Sequence, residues 1–244
     1  MKKLITTIAF IALTTVSAKA IDMEMFSVTG GIAANNSVWG GTAQQDEYDS
    51  NNDGTIDGKN KQSGVFTESY GSQFVELGIG RWISLGYEHV PDSISTPKNI
   101  NSGGGVTGTT NDTSSVSVDF NDMNTTYLKV NTPMGIYLKW GNVSTDIDIK
   151  ETMASGNTYA NTSVDGTSMG AGYQKTFGER GFGFRIEGNY VELDNVTVNN
   201  GVGTSTSGGT TANGGFSEVK ATNLEGLTGK VALTYTFGRS GNTF

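Results

Sequence analysis

Apolar and polar residues alternate with a period of two in this chain, and the alternating segments come in pairs. Val75, Leu77 and Ile79 share one face of an extended segment, with Glu76 and Gly78 on the other. Ile83, Leu85 and Tyr87 then alternate with Ser84, Gly86 and Glu88. Only Gly80, Arg81 and Trp82 lie between the two segments, which makes a tight hairpin. A second pair sets Thr126, Leu128 and Val130 against Tyr127, Lys129 and Asn131. It returns through Pro133, Met134 and Gly135 to Ile136, Leu138 and Trp140 against Tyr137, Lys139 and Gly141. A third sets Met169, Ala171 and Tyr173 against Gly170, Gly172 and Gln174. It turns at 178–181 into Phe182, Phe184, Ile186 and Tyr190 against Gly183, Arg185, Glu187 and Asn189. One strand remains at each end: Phe26, Val28, Gly30 and Ile32 at the start, and Leu227, Gly229, Val231, Leu233, Tyr235 and Phe237 at the finish. An even set of such strands, with the first and last free to pair, predicts a closed up-and-down barrel.

The connections alternate as regularly as the residues. Three are tight turns. The other four, 35–69, 91–122, 147–163 and 196–222, read as long and polar. All short turns therefore fall at one end of the barrel and all long connections at the other. Phe26, Trp82, Phe177, Phe182, Tyr235 and Phe237 gather at the short-turn end as an aromatic girdle. Strands of about ten alternating residues, short turns at one end and long loops at the other describe a barrel that crosses a membrane. A soluble β-sandwich would not need these features to coincide.

Residues 1–20 read as a secretory signal: Lys2 and Lys3, an apolar run from Leu4 to Val16, and cleavage after Ala18-Lys19-Ala20. The run is shorter than the roughly 20 residues of a spanning helix. The mature barrel is expected over 21–237, with 238–244 as a tail. With no Cys, disulfides, thiolate metal sites and a cysteine nucleophile are excluded. A formal net charge of -8 speaks against nucleic acid as a partner. Removal of Lys2, Lys3 and Lys19 with the signal leaves 13 of the 16 basic residues against 24 acidic ones.

The ending Leu233-Thr-Tyr235-Thr-Phe237 resembles the C-terminal strand signature of bacterial outer-membrane proteins. The hairpins FVELGIGRWISLGYEHV and YQKTFGERGFGFRIEGNYVEL resemble the small eight-stranded barrels of the OmpA/OmpX and opacity type. The resemblance covers nearly all of 21–237 and is one of pattern. It implies an eight-stranded transmembrane barrel in the outer membrane of a Gram-negative bacterium, a monomer without cofactor. Its partners would be outer-membrane lipid, lipopolysaccharide and the barrel assembly machinery. One departure is that Gly238 to Thr243 follow Phe237 before a terminal Phe244, where family members end on the last strand. No peptidoglycan-binding domain is expected after the barrel.

The inward positions carry Glu76, Glu88, Lys129, Lys139, Arg185, Glu187 and Lys230. An eight-stranded barrel is just wide enough for side chains to fill. Near-balanced charges there predict an internal salt-bridge network. The alternative is a narrow polar path for ions or small solutes. In the first long connection, Asp49, Asn51, Asp53, Thr55 and Asp57 take the oxygen-ligand spacing of a calcium loop, with Gly54 at the turn. Asn60 stands where a bidentate Glu would close such a site. The segment reads equally as an acidic turn, and any calcium binding would be weak. The glycine- and threonine-rich runs at 99–115 and 199–215 are expected to be mobile. The sole histidine, His89, faces outward with no serine beside it, so no enzyme is expected. The leading expectation is a structural surface barrel that presents acidic loops for adhesion or other surface contacts.

Overall fold

The computed structural model describes residues 26–48, 56–102, 113–152, 158–177, 181–201 and 216–238. Within them the chain forms eleven strands and no helix: β1 (Phe26–Tyr48), β2 (Ile56–Ile79), β3 (Ile83–Val90), β4 (Ile94–Ser95), β5 (Asn99–Ser102), β6 (Thr113–Asn131), β7 (Ile136–Thr152), β8 (Thr162–Phe177), β9 (Phe182–Leu193), β10 (Val196–Asn199) and β11 (Ser217–Gly238). Eight of them form an antiparallel ring in the order β1-β2-β3-β6-β7-β8-β9-β11. It closes where β1 pairs with β11, from Ser27 opposite Gly238 to Glu47 opposite Ser217. The short strands continue the wall away from the tight turns: β4 and β5 pair with β6 beyond β3, and β10 pairs with β11 beyond β9. Gly80, Gly135 and Gly181 take the left-handed backbone that the three tight turns need, with φ of 62°, 81° and 78°.

The alternation sets the two faces of the wall as the sequence predicts. Leu128, Leu138, Ile186 and Val231 point outward and are exposed, while Tyr127, Lys129, Tyr137, Lys139, Arg185 and Glu187 point inward and are buried. Phe26, Phe177, Phe182, Tyr235 and Phe237 lie on the outward parity and Trp82 sits in the first tight turn, with Trp82, Phe177, Phe182 and Phe237 more than half exposed.

The connections need correction. Most of 35–69, about half of 91–122 and of 147–163, and part of 196–222 is wall rather than loop. β1 is 23 residues long, β2 is 24, β6 is 19, β7 is 17 and β11 is 22. About ten residues suffice to cross a membrane, so these strands run on well past that length. The extension was hidden because its apolar residues change face, as described below, so a single unbroken alternation stops at the change. The low-complexity runs are strand at their edges, Asn99–Ser102 and Val196–Asn199. Residues 103–112 and 202–215 of those runs, the signal segment 1–20 and the tail 239–244 lie outside the described residues. β11 ends at Gly238, one residue past Phe237.

Candidate functional site

The barrel interior holds the side chains on which a functional reading turns. It is built in layers, counted here from the short-turn end.

The first layer is centred on Glu76. Arg185 approaches it as a fork, with Nη1 and Nη2 each 2.8 Å from one carboxylate oxygen. Lys129 Nζ donates to Glu76 Oε2 at 2.5 Å, and Tyr127 Oη donates to Oε1 at 2.8 Å. Gln174 Oε1 accepts from Lys129 at 2.9 Å and from Arg185 at 3.2 Å, and its Nε2 donates to Asn131 Oδ1 at 3.1 Å. The second layer holds two carboxylates between two ammonium groups. Lys230 reaches Glu88 at 2.5 and 2.7 Å and Glu187 at 3.1 Å. Lys139 reaches Glu187 at 2.7 Å and Glu88 at 3.3 Å. Tyr137 and Asn189 donate to Glu187, and Ser72 donates to Glu88.

All seven charged residues are at most 7% exposed. A buried charge is tolerated when paired and hydrogen-bonded on its remaining sites. Both layers meet that condition closely, although Arg185 Nε has no partner. The rings complete the filling. Arg185 lies over Phe74 at 4.5 Å and Lys139 over Tyr127 at 4.5 Å. Two glycines make the room: a Cβ at Gly86 would run into the Tyr127 ring, and one at Gly172 into the Tyr137 hydroxyl.

The third layer was not foreseen. Above the ion pairs the interior becomes apolar. Trp39, Val90, Ile94, Phe120, Met123, Val143, Ile147, Val164, Val191 and Leu193 form one buried cluster, and Trp39 stacks on Phe120 with centroids 6.3 Å apart. The sequence does carry a signal for it. On β7 the apolar residues are outward at 136, 138 and 140, then inward at 143 and 147. On β9 they are outward at 182, 184 and 186, then inward at 191 and 193. β1, β3 and β8 switch parity in the same way, with Trp39, Val90 and Val164 turned inward. On β6 and β11 a bulge makes the switch. The register shifts against β7 between Asn121 and Asn124, and against β1 opposite Gly40–Thr42. The two non-glycine residues with left-handed backbone, Asp122 (φ 49°) and Asn223 (φ 53°), sit at these two bulges.

Outside the barrel at the level of the switch, the wall turns polar: Asn36, His89, Asn124, Asn142, Thr167, Glu192 and Glu225. His89 faces outward as expected, its Nδ1 2.8 Å from Asn124 Oδ1. Higher on the wall, Asp119 is paired with Lys150, and that hydrogen bond holds the Asp119 carboxyl below its usual range. Glu151 accepts the Tyr159 N–H on one oxygen while the other has no partner, and burial pushes its carboxyl up.

Of the candidate calcium ligands, Asp49, Asn51, Asp53 and Thr55 lie outside the described residues. Asp57 is placed only as backbone near the start of β2. Among the described residues no cluster of His, Cys, Asp or Glu could hold a metal ion.

No protein-family model and no curated protein sequence matches the chain. Solved structures do. The outer membrane protein OprG from Pseudomonas aeruginosa aligns at 13% identity and a TM-score of 0.45, over 84% of this chain and 96% of its own. Ail, the attachment invasion locus protein of Yersinia pestis, aligns at 12% and 0.34, over 84% and 99%. The outer membrane protease OmpT from Escherichia coli aligns at 11% and 0.37, over 85% and 97%. These are distant likenesses, and no activity or ligand is carried over from them.

Proposed function

We infer that the chain is an exported outer-membrane β-barrel, sealed along its axis, that carries a tall β-wall and its acidic connections on the cell surface. The role is structural and of the adhesion or surface-interaction kind. The observation that carries this reading is the inversion of the apolar face. Near the short turns apolar side chains point out and charges point in, as a wall in hydrocarbon requires. Above the polar ring the interior is apolar and the outer face is largely polar, with Val38 on β1 and Val65 on β2 among the exposed exceptions, as a wall in water requires. From Leu227 to Phe237 the exposed belt on β11 covers ten residue steps. At about 3.3 Å each and a tilt of about 40° this is about 25 Å, the height of an outer-membrane apolar band. On β7 the belt is shorter, and Met134 in the turn, 75% exposed, continues it.

Two features support a sealed barrel over a narrow channel: the ion-pair layers with Tyr127 and Tyr137, and the apolar layer above them. An ion on the axis would have to break a paired network and then cross an apolar core. Planar-bilayer recordings of the purified barrel test this, and little or no steady conductance is expected. A large, stable, ion-selective conductance would reverse the order of the two readings.

A further inference from the structure

The charges of the interior do not balance locally. The second layer sets Lys139 and Lys230 against Glu88 and Glu187 and is neutral. Among the described residues, the first layer sets both Arg185 and Lys129 against Glu76 alone, an excess of one positive charge. Glu68, the next inward carboxylate on the same strand, is eight residues above Glu76, about 25 Å along the strand, beside Ser37. It cannot neutralise Lys129.

On the short-turn side of Lys129 the barrel mouth holds a cavity of about 40 Å³. A single water needs about 10–15 Å³ by the same measure, so there is room for a larger occupant. The described lining includes Lys129, Asn131, Ser84 and Ser27, with Arg81 at the rim, and contains no carboxylate. Lys129 and Asn131 are 2% and 7% exposed. Lys129 has three N–H donors, of which Glu76 and Gln174 take two. Asn131 uses its oxygen to accept from Gln174, which leaves its NH₂ group for the cavity. The cavity therefore offers donors and positive charge beside a buried cation in excess.

We propose that this vestibule is a binding site for one small inorganic anion of halide size, held by Lys129 Nζ, the Asn131 amide and the Ser84 hydroxyl, which completes the charge balance of the first layer. The site lies at the mouth and does not depend on whether the barrel conducts.

Crystals of the full barrel grown with bromide in place of chloride provide the direct test. An anomalous peak in the vestibule within hydrogen-bonding reach of Lys129 Nζ is expected. An empty or water-only vestibule overturns the proposal whatever else is measured. The second arm compares urea midpoints in bromide and in gluconate, an anion too large for the cavity, at equal ionic strength. A ligand bound only by the folded state raises stability by mass action, so the wild-type midpoint should be higher in bromide. Gln174→Glu is close to isosteric and sets a carboxylate against both Lys129 and Arg185. It should be at least as stable as wild type and lose the bromide effect. Equal wild-type midpoints would mean binding at crystal concentration only. A bromide effect that persists in Gln174→Glu would be a general salt effect. Either result overturns the proposal.

Discussion

Replacing Ile186 by arginine is the sharpest test of where the barrel meets lipid. Ile186 is outward and 53% exposed, between Tyr173 on β8 and Val231 on β11. It lies inside the belt that runs from Phe182 at the short-turn end to Glu192 at the polar ring. If the outer face stood in water, an exposed Ile→Arg change would cost within about 0.5 kcal/mol. In hydrocarbon near the bilayer midplane the cost is about 2–4 kcal/mol. The control is Thr167→Arg, at the polar ring directly opposite Glu192. An arginine there has water and a carboxylate in reach, so its expected cost is about 0–1 kcal/mol. The contrast of about 2–3 kcal/mol is roughly a thirty- to two-hundred-fold difference in the folding equilibrium. Reversible urea unfolding in lipid vesicles measures it, with heat-modifiable gel migration reporting the folded fraction. If Ile186→Arg proves no costlier than Thr167→Arg, the exposed belt is not a lipid face and the outer-membrane reading fails. Recovery of the wild-type chain as a soluble periplasmic protein would end it more directly.

Leu193→Ala, in the apolar layer above the switch and 4% exposed, should cost about 2–5 kcal/mol in vesicles and in detergent alike. A cost below about 1 kcal/mol would mean that layer is not a packed core. Glu187→Gln leaves Lys139 and Lys230 to share the Glu88 carboxylate. Breaking one partner of a buried network costs about 3–5 kcal/mol, read as a lowered urea midpoint, and an unchanged midpoint would remove the structural reading of the ion pairs. Asp119 has its folded pKa lowered by Lys150. Its contribution is therefore present above the unfolded value of about 3.9 and lost as pH falls through the lower folded value. Asp119→Asn should be less stable than wild type at neutral pH, and the difference should vanish in acid. A difference independent of pH would assign the effect to packing rather than charge.

The sequence disclosed the membrane-level half of the fold because two environments forced two chemistries onto alternate residues. Val75, Leu77 and Ile79 could only be one face, and Glu76 the other. The upper half was obscured for two different reasons. On β7 and β9 the apolar phase moves from even to odd positions, so an unbroken alternation stops at Trp140 or Tyr190. On β6, Val118 and Phe120 keep the sequence parity of Leu128 and Val130 but point to the opposite side, because the bulge at Asp122 intervenes. Only the paired register reveals a bulge of this kind. The same holds for the ion pairs. The seven inward charges were legible one by one, but which lysine meets which glutamate was not. Arg185 and Glu76 are 109 residues apart in the chain, and nothing local links them. The mouth cavity beside Lys129 was likewise invisible until Asn131, Gln174 and Ser84 were placed around it.

The inversion also explains why the charged layers lie where they do. At belt level the apolar residues are committed to the outside, and the narrow interior must be filled by what remains on the other parity. The charges on that parity are at most 7% exposed, so they must find one another. Lysine and glutamate suit this role because their stems are long enough to link strands that are not neighbours in the wall: Lys230 on β11 meets Glu88 on β3, and Lys139 on β7 meets Glu187 on β9. Above the polar ring the constraint is lifted. The outer face carries the exposed Lys150, which pairs with the buried Asp119 carboxylate, and the interior is filled by Trp39, Phe120 and Leu193 with no ion pair among them. The switch must then occur at one height on every strand, or an apolar side chain would face water on one strand while a polar one faced lipid on its neighbour. Six strands meet that height through their sequence parity, β2 among them with Tyr70 and Phe66 packed inward. β6 and β11 meet it by inserting a residue, and the strained backbone at Asp122 and Asn223 is the local cost of keeping the boundary level around the ring.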